Sequence, residues 1–562
     1  AQRTDWRRSK VTRRLAGNDP EVNEEWNCDK GRWAFHYAEQ PDRLLVPLVR
    51  DDSGELVEAS WPEALERAAT GLAEAVDRGG VGVLPGGRLT EEDAYAYAKF
   101  ARVALGTNDI DARVRPSSAE EDAFLASHVA GVTPAHVSYA DLEKAPAVLL
   151  AGFEPEEESP IVFLRLRKST RLGKTKVWSV AALASHGLQK LDGTLLPAVP
   201  GAEAAALDAL PGDALGALGE DGALILVGER LASAPGALSA AANLAAATGA
   251  RLVWVPRRAG ERGAIDAGAL PGLLPGARTV SDADGRAEVS SVWGAAVPST
   301  PGRDANAILH AAAEGSLAAL VVGAVDPDDF ADPAIAAQAL ERAGFIVSLE
   351  LRRSAVTSHA DVVLPVAPAA EKAGRYVTWE GRRRPFELTL AGTGALSDFR
   401  VLDALAEELD VNLGLRTIAA VRDELLKLGT AGTRPAAPQI KAGPTPKLRD
   451  GEAIVATWHE LIDAGRMQDG DEHLAGTAKP VRARLSKATA TAVGVADGEH
   501  LSVSTDAGAL VLPVAIDDLP DDVVWLPTNA RECALRATLA AAHGSVVKLT
   551  RSDAPPVVGV DQ

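Results

Sequence analysis

Two cysteines, Cys28 and Cys533, and ten histidines are the residues of this 562-residue chain most suited to metal or nucleophilic chemistry. Two thiols permit one disulfide at most, which excludes a disulfide framework and any metal site built from several cysteines of this chain alone. His459-Glu460 begins like a zinc-binding helix, but the second histidine would fall at position 463, which is Asp463. No zinc-hydrolase site is expected there, and His459 is assigned to the surface or an interface. Gly173-Lys174-Thr175 ends like a phosphate-binding loop, yet the glycine needed five positions before Gly173 is Lys168. The segment also leads into a strand rather than a helix, so it reads as a turn with a solvated lysine. Gly80-x-Gly82 is followed by Pro85 and Gly392-x-Gly394 by Ser397 where a third glycine would stand, so neither is a dinucleotide fingerprint. No G-x-S-x-G elbow occurs. The acidic run Glu154, Glu156, Glu157 and Glu158 lacks a spaced cation-binding loop and reads as a solvated segment. The residues alone thus describe no autonomous catalytic constellation.

The chain that must position these groups carries 58 basic and 78 acidic residues, a net charge of −20. That balance argues against nucleic acid as a partner, because phosphate contacts require an excess of Lys and Arg. An apolar content of 46% is enough for cores in three or four domains of roughly 150 residues each. No window approaches the ~18 consecutive apolar residues of a membrane-spanning helix, so no direct membrane insertion is expected, and the chain reads as cytoplasmic. Residues 1–14 hold Arg3, Arg7, Arg8, Lys10, Arg13 and Arg14 against Asp5 in an alternating pattern, which predicts short, charged edge strands.

Ser60, Trp61 and Pro62 open a helical pattern that runs to Val76. Short apolar runs at 81–85, 147–151, 177–180, 224–227, 252–255, 320–322 and 345–349 alternate with Ala- and Leu-rich stretches of helical length. Continuous apolar strands between helices predict parallel sheets covered on both faces, hence doubly wound α/β domains over roughly 56–428. Glycines and prolines from Gly429 to Asp450 predict a linker. A helix is expected from about Glu452, with Ile454, Val455, Trp458, Leu461 and Ile462 on one face and Gly465 at its end. Beyond Lys479 the period becomes two, with turns at Asp497-Gly498 and Asp506-Ala507-Gly508, which predicts a small antiparallel barrel or sandwich.

Three stretches together resemble the molybdopterin oxidoreductase superfamily over essentially the whole chain. Asn18-Asp19-Pro20-Glu21-Val22-Asn23-Glu24-Glu25-Trp26-Asn27-Cys28-Asp29-Lys30-Gly31-Arg32 is similar to the segment around the last cysteine of its iron-sulfur domain. Ala360 to Pro365, Glu371-Lys372-Ala373-Gly374 and Glu380-Gly381-Arg382 resemble its sheet-end signature. Arg484-Leu485-Ser486 and Trp525-Leu526-Pro527-Thr528-Asn529 look like its pterin-dinucleotide-binding domain. Arg257-Arg258-Ala259-Gly260 and Val325-Asp326-Pro327 are most like the family of large peripheral-arm G subunits of bacterial NADH:quinone oxidoreductase, complex I.

The resemblance implies two Rossmann-like α/β domains of molybdopterin-oxidoreductase type, a small N-terminal iron-sulfur-type β region and a C-terminal β-barrel. It divides the chain into an incomplete 4Fe-4S-type domain (1–55), the first α/β domain in two parts (56–140 and 300–428), the second α/β domain (141–299), a linker (429–450) and the barrel domain (451–562). It makes Cys28 the fourth ligand of a 4Fe-4S cluster whose other three cysteines would precede residue 1, since residues 1–27 fill the family spacing. Molybdenum and pterin are expected to be absent. Catalytic relatives often ligate the metal with Cys or selenocysteine after the first α/β unit, where this chain has none, although Ser117, Ser118 or Ser127 could stand in. The implied role is a respiratory-chain subunit supporting electron transfer from NADH to quinone, mainly structural in this chain. Its partners would be other complex I peripheral-arm subunits, on the inner face of the plasma membrane. The alternatives are a catalytic subunit of formate dehydrogenase or nitrate reductase type, and a binding module using the crevice at the strand ends.

Overall fold

The computed structural model describes residues 2–553. The basic N-terminus forms an antiparallel hairpin, β1 (Gln2–Arg7) and β2 (Lys10–Ala16), joined at Arg8 and Ser9, which both take positive φ. Alternating charge leaves both strands mostly exposed, and Asp5 pairs with Arg3 and Arg13. A short helix, α1 (Asp29–Trp33), follows Cys28.

The first α/β sheet has six strands. β3 (Leu48–Arg50) and β4 (Leu56–Glu58) form an antiparallel edge hairpin. Helix α2 (Trp61–Arg78) starts with Ser60 as its cap and Pro62 in its first turn, as the sequence predicts, and Glu63 completes a capping box. β5 (Val81–Pro85) leads through Gly86 and Gly87 into α3 (Glu91–Lys99). The expected boundary between residues 55 and 56 falls inside the β3–β4 hairpin, because β3 is hydrogen-bonded to the sheet through Val362 and Val363.

The second sheet is built from β6 (Ala147–Ala151), β7 (Lys176–Ala181), β8 (Thr194–Pro197), β9 (Leu224–Gly228) and β10 (Arg251–Val255), all parallel, in the order β10-β9-β6-β7-β8. Its central strands are fully buried, which is why they read as unbroken apolar runs. After β10 the chain turns back. The segment 264–293, including the small pair β11 (Leu273–Leu274) and β12 (Arg278–Thr279), bridges the two cores: Ile265, Leu270, Leu273 and Ala277 pack with the second sheet, and Leu274, Val280, Val289 and Trp293 with the first. Arg102 fastens it there, donating to the carbonyls of Gly268, Leu270 and Leu273 at 2.9–3.0 Å. The second α/β unit therefore ends earlier than residue 299. β13 (Ala319–Gly323), β14 (Phe345–Glu350) and β15 (Val362–Pro365) complete the first sheet, ordered β4-β3-β15-β14-β13-β5. The hairpin β16 (Gly374–Val377) and β17 (Arg383–Phe386) stands over its carboxyl edge.

Residues 429–450 have no regular structure but run as a strap along the second unit, with Ala431, Ile440 and Gly443 donating to Gly276, Ser239 and Pro235. The helix expected from Glu452 is instead strand β18 (Glu452–Trp458). A continuous apolar run of this length fits either element, and here Ile454 to Trp458 pair in parallel with a barrel strand and are buried on both faces. The closed barrel runs β18-β22-β19-β21-β20-β25 through β19 (Ala483–Leu485), β20 (His500–Ser504), β21 (Ala509–Ile516), β22 (Val523–Pro527) and β25 (Val546–Ser552), with β23 (Asn529–Ala530) and β24 (Cys533–Ala534) a small ribbon beside it. Asp506-Ala507-Gly508 lies in the β20–β21 hairpin turn, whereas Asp497-Gly498 joins the helix Lys487–Val493 to β20.

Candidate functional site

The carboxyl ends of β5, β13, β14 and β15 open into a cleft of about 1150 Å³, roofed by the N-terminal hairpin through Thr4, Trp6 and Arg14. Open α/β sheets place ligands outside the carboxyl ends of their strands because loops diverge there and leave a crevice. Each strand contributes the residues just past its last hydrogen bond. Arg88 follows β5, Asp326 follows β13, Glu350 ends β14, and Lys372 lies beyond β15. Tyr376 and Phe386 stack across the β16–β17 hairpin at 5.5 Å and line the wall.

Electrostatics divide these groups. Lys372 Nζ lies 2.7 Å from Asp93 and 3.2 Å from Asp398. Burial works against its ammonium, but the two carboxylates outweigh it and hold its pKa well above the ordinary lysine value. Burial raises Asp398 to about 6, opposed by Lys372. Tyr97 donates to Asp398 at 3.3 Å, and Thr90 donates to Asp93 at 2.7 Å. Glu350 accepts only the Leu351 N–H, and burial pushes its carboxyl up to about 7 against the pull of Arg466 and Arg88. Asp326 is raised by burial and by neighbouring Asp329.

At the second sheet the corresponding edge is closed. Ala182 and Leu183, just past β7, pack under Trp458 and Trp525 of the barrel. Arg230 stacks over Trp458 at 5.6 Å and pairs with Glu158 at 2.9 Å. The acidic run expected as a solvated segment is instead a short helix, Pro155–Glu158, facing the barrel. Glu154 and Glu158 are buried, and Glu157 pairs with Lys479 while accepting the Leu461 N–H at 2.8 Å. His459 is buried at this interface, 3.3 Å from Asp463, and burial beside Arg257 lowers its pKa to about 4. Gly173, with φ of +64°, forms the turn expected before β7.

Cys28 is half-buried and caps α1, its Sγ accepting the Gly31 N–H at 3.3 Å. Gly31 is tightly specified, since a Cβ there would lie 2.4 Å from Gln2 Nε2 and 3.3 Å from the sulfur. Burial raises the thiol pKa, opposed by the Gly31 N–H and Lys30. Cys533 is fully buried in the barrel core, and burial pushes its thiol up to about 12. Ser118 caps the helix Ala119–Phe124, Ser127 donates to Ala123, and Ser117 Oγ is buried. None of the three lines the open cleft. The Lys372–Asp93–Asp398 group and Glu350 were invisible as a site in sequence. Glu350 ends the apolar run of β14 and Lys372 lies in the Glu371-Lys372-Ala373-Gly374 stretch already singled out, whereas Asp93 and Asp398, in the first turns of two helices, carried no signal of their own.

The molybdopterin oxidoreductase model matches residues 43–408, and the molydopterin dinucleotide binding domain matches residues 463–561. The G subunit of NADH-quinone oxidoreductase from Mycobacterium tuberculosis is 58% identical over 559 residues, covering 98% of this chain and 69% of the relative. The protein of the same name from Streptomyces coelicolor is 53% identical, covering 98% of this chain and 68% of the relative. The solved structure of acetylene hydratase from Pelobacter acetylenicus shares the fold at a TM-score of 0.68 and 16% identity, covering 97% of this chain and 94% of that one.

Proposed function

The chain belongs to the molybdopterin oxidoreductase family and, within it, to the G subunits of NADH-quinone oxidoreductase, and on that premise we propose that it is a peripheral subunit of complex I that scaffolds electron transfer from NADH to quinone. The observation that carries this is 58% identity sustained over 98% of the chain, which spans both α/β units and the barrel. Its partners are then the other subunits of that complex. No helix among the described residues is long and apolar enough to cross a membrane, so attachment to the inner face of the membrane would run through those partners.

Cys28 is the residue we assign to iron-sulfur chemistry. Cys28 is only partly buried, and the Gly31 N–H and Lys30 near its sulfur oppose the effect of burial on the thiol, while Cys533 is sealed in apolar surroundings. One thiol does not make a cluster site, and the described residues contain no group of three or more His, Cys, Asp or Glu placed to hold a metal. The cluster would therefore need ligands from outside this sequence. A pterin dinucleotide fits the open crevice of the first sheet better than the closed edge of the second, and we assign no step to it.

Tagging the chain in its host and resolving solubilised membranes on a native gel tests the reading. The tag should comigrate with NADH:quinone oxidoreductase activity, and deletion should remove that activity. Migration as a free protein, with deletion abolishing formate or nitrate turnover instead, would overturn it.

A further inference from the structure

Each α/β sheet offers a crevice at the carboxyl ends of its parallel strands, and only one of the two is open. From the side chains that close the other we infer that Arg257-Arg258 is a built-in plug, standing where a nucleotide would lie between the sheets and limiting this chain to one such ligand at most. The dipeptide leaves the carboxyl end of β10 and sends its two guanidiniums in different directions. Arg257 Nε lies 2.9 Å from Glu229, the first residue beyond β9, and Arg115 approaches the other oxygen of that carboxylate at 3.3 Å. Arg258 crosses to the first sheet, donating to the Val114 carbonyl at 2.8 Å and pairing with Asp329 at 3.1 Å. Arg536, from the barrel domain, donates to the Asp329 carbonyl at 2.8 Å. Two adjacent residues thus join both sheets, and Asp329 links them to the barrel domain through Arg536.

The plug also covers the glycine turn of the first sheet, between β5 and α3, at the inner wall of the open cleft. A glycine-rich turn between strand and helix can hold an anion when its backbone lies bare. Here the Arg258 stem lies on Gly87, so closely that a Cβ at Gly87 would stand 2.8 Å from Arg258 Cδ, and the Gly260 N–H closes onto the Gly87 carbonyl at 3.0 Å. Arg257 and Arg258 are engaged by Glu229 and Asp329, so a phosphate would have to compete with those carboxylates for the two guanidiniums. A phosphate entering there would meet two carboxylates. The apolar packing of Trp458 and Trp525 on Ala182 and Leu183 closes the far side of the same edge. The second crevice therefore does not fit the dinucleotide that the family name implies, while the first retains room for one nucleotide-sized molecule.

Equilibrium dialysis of the purified chain against guanosine diphosphate tests the capacity. Bound nucleotide should not exceed one equivalent, and Ala369→Trp, which fills the open cleft from its rim, should bind none. Two equivalents, or binding that survives Ala369→Trp, would overturn the inference. Hydrogen exchange tests the plug itself without any ligand. In Arg258→Ala the Gly260 amide should exchange at least tenfold faster. Arg258→Lys keeps the charge but loses the two-point grip, and it should show the same direction if Arg258→Ala does not fold. Unchanged exchange at Gly260 in either folded variant would mean that Arg258 does not hold the crevice shut.

Discussion

Lys372 reaches from the loop beyond β15 to Asp93 in the first turn of α3, and the 2.7 Å pair is almost wholly out of solvent, with side-chain exposures of 10% and 0%. Asp93 is thereby paired in the interior, and removing Lys372 leaves a buried carboxyl group without its partner. Breaking one partner of a buried pair costs about 3–5 kcal/mol, whereas replacing both costs far less. Lys372→Met should therefore lower the denaturation midpoint severely, and adding Asp93→Asn should recover most of the loss. A single-variant loss below about 1 kcal/mol would show that the buried carboxyls do not depend on Lys372.

Glu350 supplies a pH dependence with a definite sign. Its folded-state pKa, about 7, lies above the ordinary carboxylate value, so the native state holds a proton that the unfolded chain has released. Its contribution is fully present below about pH 4.5 and is lost as pH rises through 7. Ionisation at pH 8 then costs on the order of 3 kcal/mol, from 1.36 kcal/mol per pKa unit. Glu350→Gln should be more stable than the parent at pH 8 and nearly equal to it at pH 5, read from thermal midpoints at both values. An equal difference at the two pH values would remove Glu350 as the titrating group.

The two thiols should separate cleanly. Cys533 donates to the Pro527 carbonyl at 3.4 Å inside the barrel core, so Cys533→Ala should cost about 1–2 kcal/mol through a small cavity. In native protein, alkylation should label Cys28 first and reach Cys533 only on unfolding. In a longer chain of confirmed folding that carries upstream cysteines, Cys28→Ala should remove the 4Fe-4S signal and Cys533→Ala should keep it. The reverse pattern would show that the family register placed on residues 18–32 is wrong.

Legibility in the sequence followed burial geometry. β5, β6, β9 and β13 were readable because a strand covered on both faces must be apolar throughout, and α2 because Ser60 and Pro62 satisfy its first amides locally. The same continuity misled at β18, where Ala453 to Trp458 satisfies a buried helix as well as a barrel strand. The acidic run failed for a different reason: Glu157 and Glu158 find their cations, Lys479 and Arg230, far away in sequence. Arg88, Asp326, Glu350 and Lys372 converge from four separate strand ends, and no spacing rule connects them.

The strap between the α/β body and the barrel makes the last prediction. Its first half is held, since Arg434 donates to the Ser127 carbonyl at 3.1 Å and Gly443 to the Pro235 carbonyl at 3.3 Å. From Pro444 to Asp450 the chain is almost wholly exposed, before β18 resumes at Glu452. A protease needs an extended, unanchored backbone, and Lys447 lies in that interval, whereas Arg449 is tied to Glu452 through both its N–H and its carbonyl. Limited trypsin treatment should therefore cut first at Lys447 and spare Lys441, which precedes the Gly443 anchor. The two fragments should stay together on a sizing column, because Trp458 and Trp525 pack on Ala182 and Leu183, and Lys30 pairs with Asp463 at 3.0 Å. High salt screens the ion pair without weakening the apolar contact, so it should not separate them. Early cleavage within residues 320–350, or fragments that part at once, would mean that the barrel is tied to the body by the strap and not by the interface.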